Sequence, residues 1–163
     1  MRLTPLLLLP ALLLTGCAGE DRVAAPAAAV AEARSLAADL APLHAEALLL
    51  ADLVMAGEPP AEVAEVVQRV ADGTRALTGD VDPGLAVEGA ALAAGELEAV
   101  RAAAGEELVR LGLDGLLRNA LATVQEAKQV LTDASGASDD DRALAERVLA
   151  HTDAVVQDLA ALA

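Results

Sequence analysis

The chain predicts an all-α fold, a bundle of four to five helices. Leu and Val recur at three- and four-residue intervals through most of it, no stretch alternates apolar with polar residues, and the β-branched residues sit inside the helical patterns. Glycine and proline fall between the periodic stretches and divide them.

The first helix is expected over 27–56, with Leu36, Leu40, Leu43, Ala47, Leu50 and Val54 on one apolar stripe. Pro42 lies inside it, lacks a backbone donor and is expected to kink or break it. Gly57-Glu58-Pro59-Pro60 ends this element, because glycine suits a C-terminal cap and proline the first turn of the next helix. A second helix is expected over 60–77, with Val63, Val66, Val67 and Val70 inward, followed by a turn containing Gly79 and Asp82-Pro83-Gly84. A third, over 85–111, carries Leu92, Leu97, Val100, Leu108 and Leu111, although Gly89, Gly95 and Gly105 each cost about 1 kcal/mol relative to alanine. The pattern breaks at Gly112 to Gly115, where Asp114 is placed to cap a fourth helix over 115–134. Ser135-Gly136-Ala137 reads as a loop. Ser138, with Asp141 three residues on, is an acidic variant of the capping box and opens a last helix over 139–162, its stripe Leu144, Val148, His151, Val155 and Leu159. With only Leu, Val and Ala to fill it, the core should be narrow and its helices close.

Residues 1–16 follow a different logic. Arg2 is the one charge, an apolar run extends from Leu3 to Leu14, and Thr15 and Gly16 precede the only cysteine. The run is too short for the roughly twenty residues that cross hydrocarbon, and Pro5 and Pro10 interrupt it. Leu14-Thr15-Gly16-Cys17 resembles the bacterial lipobox. The resemblance implies cleavage between Gly16 and Cys17, diacylglyceryl on Cys17, and a protein exported and lipid-anchored to the outer side of the cell membrane, or to the outer membrane where there are two. Each acyl CH₂ in the bilayer adds about 0.8 kcal/mol, so several chains hold firmly. The expected organisation is a signal peptide over 1–16, a lipidated tether over 17–26 and a helical domain over 27–163.

All 26 acidic residues and ten of the eleven basic ones lie beyond Cys17, so the mature chain carries a formal charge of 10 − 26, or −16. That surface repels phosphate backbones, and a chain without Phe, Tyr or Trp has no ring on which to stack a base, so nucleic acid is excluded as a partner. The acidity keeps the exterior solvated. The chain's 55% apolar content and its periodicity argue against disorder.

Two segments look alike. Leu40 to Val70 and Leu117 to Val148 each read as helix, short polar break, helix, with Glu46-Ala47 matched by Glu126-Ala127 and Arg69-Val70 by Arg147-Val148. Two helical hairpins would make the bundle. Pro42-Leu43-His44-Ala45-Glu46-Ala47-Leu48-Leu49-Leu50-Ala51 resembles the motif Met-x-Pro-His-His-x-x-Ala-x-x-Met-Ala of a duplicated, ferritin-like bacterial family of unknown function. It keeps the proline, the second histidine and both alanines, and has Leu43 and Leu50 in place of the first histidine and a methionine. The second segment keeps Ala127, with Thr123 and Val124 where histidines would stand. The resemblance implies a ferritin-like bundle and an association with metal or copper handling, for which His and Met are suitable ligands.

Neither histidine carries the Glu-x-x-His pattern of a di-metal bundle, since Ala41 stands three residues before His44 and Val148 three before His151. His44 and His151 form a candidate pair for Cu or Zn because the first and last helices of a bundle are often neighbours. Glu46, two residues from His44, points elsewhere on the helix. Ser35, Ser135 and Ser138 have no His nearby in sequence, and no Gly-rich phosphate loop occurs. No enzyme activity and no cofactor are expected. Three readings follow: an anchored acidic bundle that meets an unidentified protein partner; a copper- or zinc-binding lipoprotein; or a bundle that captures a small apolar molecule between its helices.

Overall fold

The computed structural model describes residues 35–79, 90–132 and 136–162. The expected signal peptide, cleavage point, lipidated Cys17 and tether lie outside these residues, as do positions 27–34 of the first predicted helix, the Asp82-Pro83-Gly84 turn and Ser135.

Five helices and no strand occur among the described residues: α1 Leu36–Ala56, α2 Ala61–Thr78, α3 Ala94–Ala102, α4 Gly105–Thr132 and α5 Asp139–Leu162. The four long helices form a ring in which α1 packs on α2 and α4, and α5 packs on α2 and α4. The short α3 rests on α4. The hairpins α1–α2 and α4–α5 are the halves of the bundle, as the paired sequence segments predict.

Ser35 starts α1, its hydroxyl accepting from the Ala38 N–H at 3.3 Å. The Leu36 N–H, at the first helical position, donates to Asp141 Oδ1 at 2.8 Å. Asp141 therefore serves two helix starts: its own N–H donates to Ser138 Oγ at 3.0 Å, while its carboxylate reaches across to α1. The expected capping pair at Ser138 is present, since the Asp141 carboxylate also engages the Ser138 backbone and accepts from the Ser138 hydroxyl at 2.7 Å, and the same acid additionally answers the neighbouring helix. Pro42 does not break α1, which runs unbroken past it to Ala56.

The largest departure from expectation lies between 85 and 134. The third predicted helix shrinks to Ala94–Ala102, and α4 runs without a break from Gly105 through Gly112 and Gly115. Gly105, at φ +56°, makes the break where the sequence suggested continuity. Gly112 and Gly115 are not breakers. A Cβ at Gly112 would stand 2.3 Å from Val54 Cγ2, and one at Gly115 would stand 3.2 Å from Leu50 Cδ1, so these glycines let α4 lie close against α1. Asp114, expected as a cap, is mid-helix and pairs with Arg118 at 2.8 Å.

The expected stripe residues are buried on α1, α2 and α5, with His151 half-exposed. They form two apolar clusters. The larger joins Leu50, Val54, Val67, Leu116 and Leu159; the smaller joins Leu36, Leu40, Leu43, Ala127, Leu144 and Val148. Burying a Leu or Val side chain is worth about 1.5–3 kcal/mol, so both clusters hold the ring together. Between them, at mid-height, each long helix contributes polar groups: His44 and Glu46 from α1, Thr74 from α2, Asn119 and Thr123 from α4, His151 and Thr152 from α5.

Candidate functional site

This polar layer contains the only buried charged side chain among the described residues. Glu46 is 0% exposed and accepts three hydrogen bonds: from the Ala91 N–H at 3.0 Å, the Leu92 N–H at 3.1 Å and Asn119 Nδ2 at 2.8 Å. Burying a carboxylate without donors would cost several kcal/mol, and these three offset that cost. Asn119 also donates to the Leu43 carbonyl at 2.8 Å, so one amide ties α4 to α1 at two points. The carboxylate fixes where the chain enters the 90–93 segment ahead of α3. Its counterpart in the sequence repeat, Glu126, is only half-buried.

On the other side of Asn119 lies a small cavity of about 20 Å³, lined by His44, Thr74, Asn119, Thr123, His151 and Thr152 together with apolar neighbours. That volume suits one water-sized guest. Both candidate histidines therefore line one space, although α1 and α5 stand across the ring from each other rather than side by side as expected from the sequence; the two rings reach the cavity from opposite sides of the bundle. His44 Nδ1 is buried and has no hydrogen-bond partner. Burial, and then the neighbouring His151, lowers the His44 pKa to about 4. Burial lowers that of His151 as well. Both imidazoles are thus neutral near pH 7, the state in which a ring nitrogen can accept a hydrogen bond or bind a metal.

His151 owes its place to Gly73, at which a Cβ would lie 1.9 Å from His151 Cε1. The glycine is a mid-helix cost on α2, offset by the room it leaves for the ring. Thr74 donates to the Val70 carbonyl at 2.8 Å, leaving its oxygen lone pairs for the cavity side. Thr123 lines the same space.

Two imidazoles supply half the ligands of a tetrahedral zinc site. Among the described residues, no group of three or more His, Cys, Asp or Glu is placed to hold a metal ion. The layer does not fit a structural zinc centre.

Glu46, Asn119 and Gly73 were not identified as site residues from sequence. The signals were faint: a single asparagine in a helical stretch that disfavours it, and a glycine inside the α2 pattern. No helix among the described residues is long and apolar enough to cross a membrane. Comparison with protein-family models, with curated proteins and with solved structures returned no match.

Proposed function

We propose that this protein is an exported lipoprotein, anchored through Cys17, that presents an acidic helical bundle to a protein partner at the envelope. The observation that carries the reading is the order of the first seventeen residues: Arg2, an apolar run, then Leu14-Thr15-Gly16-Cys17. The first described helix, α1, begins at Leu36, nineteen residues beyond the cysteine (36 − 17), which leaves length for a tether. The charge of the mature chain favours a basic protein surface as partner over nucleic acid or an anionic headgroup. Labelled palmitate should enter the wild-type protein in a bacterial host and be lost in Cys17→Ser, with the protein moving from the membrane to the soluble fraction. Label retained by Cys17→Ser, or a wild-type protein that carries none, would remove the anchor from the account.

A second reading, metal binding at His44 and His151, draws on their shared cavity and on the unpartnered His44 Nδ1. Against it stands the shortage of further ligands. Calorimetric titration with Cu(II) and Zn(II) decides between the two: micromolar binding lost in His44→Ala and His151→Ala supports metal handling, and no heat from the intact protein ends it.

A further inference from the structure

One end of the bundle, away from the polar layer, carries a groove of about 510 Å³. Its floor is apolar. Val63 and Leu113 are buried members of the larger cluster, and Val109 and Leu162 are partly buried against it. The α1–α2 turn forms one wall, brought so close to α4 that a Cβ at Gly57 would sit 3.0 Å from Val109 Cγ2. The rim holds Glu58, Glu106, Asp114 and Arg110. Arg110 is engaged by Glu107 at 2.6 Å and Asp114 by Arg118 at 2.8 Å. Glu58 and Glu106 are exposed and have no cationic partner among the described residues.

The sign of the groove follows from those two acids. Helix ends meet here in balance, since the C-termini of α1 and α5 bring partial negative charge and the N-termini of α2 and α4 partial positive charge. With the dipoles opposed and both rim pairs neutralised internally, two carboxylates remain over an apolar floor. The size favours a small guest over a macromolecule. Ligand pockets span roughly 300–1,000 Å³, whereas a stable protein interface needs about 20–30 residues a side, and this groove is lined by ten.

The geometry points to a binding site for a small organic cation with an apolar body, an alkylammonium, seated with its chain on Val63, Val109 and Leu113 and its ammonium between Glu58 and Glu106. This inference goes beyond the anchored-bundle reading, and its test reads the groove whether or not Cys17 carries lipid. The full chain, with ¹³C-labelled Val and Leu methyl groups, is reconstituted in phosphatidylcholine nanodiscs and titrated with hexylammonium, 1-hexanol and hexanoate. Hexylammonium should shift the methyls of Val63, Val109, Leu113 and Leu162 saturably, with hexanol about tenfold weaker and hexanoate weaker still. In Glu58→Gln/Glu106→Gln, two surface changes that leave the core untouched, ammonium affinity should fall to that of the alcohol while alcohol binding stays as it was. Equal binding of ammonium and alcohol to the parent overturns the proposal. So do shifts centred elsewhere, an unaltered double variant, or no saturable shift at all.

Discussion

Acidification should weaken this bundle through His44, and the size of the effect can be worked from its surroundings. His44 is 3% exposed, and its pKa falls from 6.5 to about 4 on folding. Above pH 6.5 the imidazole is neutral in both states, so its contribution is fully present. As pH falls from 6.5 toward 4, the unfolded chain takes up a proton that the fold refuses, and stability drops with it. Below about 4 the folded state is protonated too and the loss levels off. At 1.36 kcal/mol for each pH unit, the loss by pH 4 is about 3 kcal/mol, a large part of the 5–15 kcal/mol that holds a typical domain together. Urea unfolding followed by far-UV circular dichroism, at half-unit steps from pH 7.5 to 4, gives the curve. His44→Leu serves as the reference because it keeps the site apolar and has nothing to titrate. The wild-type curve should be steeper than the variant's between pH 6.5 and 4.5. Parallel curves, or a His44 ring that titrates near 6.5 in the folded protein, would refute the reasoning.

The remaining predictions concern packing and caps. Glu46→Ala leaves the N–H groups of Ala91 and Leu92 and the amide of Asn119 without their acceptor, and should cost at least about 3 kcal/mol in chemical denaturation. Gly112→Ala gains about 1 kcal/mol of helix propensity but drives a methyl into fully buried Val54, whose branched side chain has little freedom to turn; a net loss of about 1–2 kcal/mol is expected from the same assay. Gly73→Ala should push the His151 ring toward solvent and raise its pKa toward 6.5, visible as a shifted imidazole titration by NMR; an unchanged titration would show that the ring stays put. Asp141→Ala removes the acceptor for the Leu36 N–H and should cost about 1 kcal/mol, with faster amide exchange at Leu36.

The apolar periodicity made most of the architecture legible. The stripes of α1, α2 and α5 are buried where the spacing of Leu and Val places them, because on a long helix that spacing has one solution. Glycine was the ambiguous letter. At Gly105, two residues past the extended Ala103 that closes α3, it opens α4 with a positive φ, while at Gly112 and Gly115 it lies within a helix and permits close approach to α1. Propensity assigns all three the same cost, and only the facing Val54 and Leu50, 58 residues before Gly112 and 65 before Gly115, tell them apart. The candidate site was legible in part. His44 and His151 line one cavity, but across the ring rather than on adjacent helices, and the polar layer around them comes from one or two residues on each of four helices, each of which alone passes for a surface or cap residue. Such a layer disfavours axial slippage between helices, since a one-turn slide would part Glu46 from Asn119 and leave both buried without their partners.

The bond from Leu36 to Asp141 joins positions 105 residues apart and sets an order of events. The start of α1 has no protein acceptor for that N–H until the second hairpin has docked, so this end of the bundle should close late in folding, after most of the chain-closure entropy has been spent. It is also the first point of the described bundle that a pull from the N-terminal side reaches. A force applied there loads one hydrogen bond at a time along α1, Leu36 first, rather than shearing several together, so the bundle should yield by peeling from its amino end at low force.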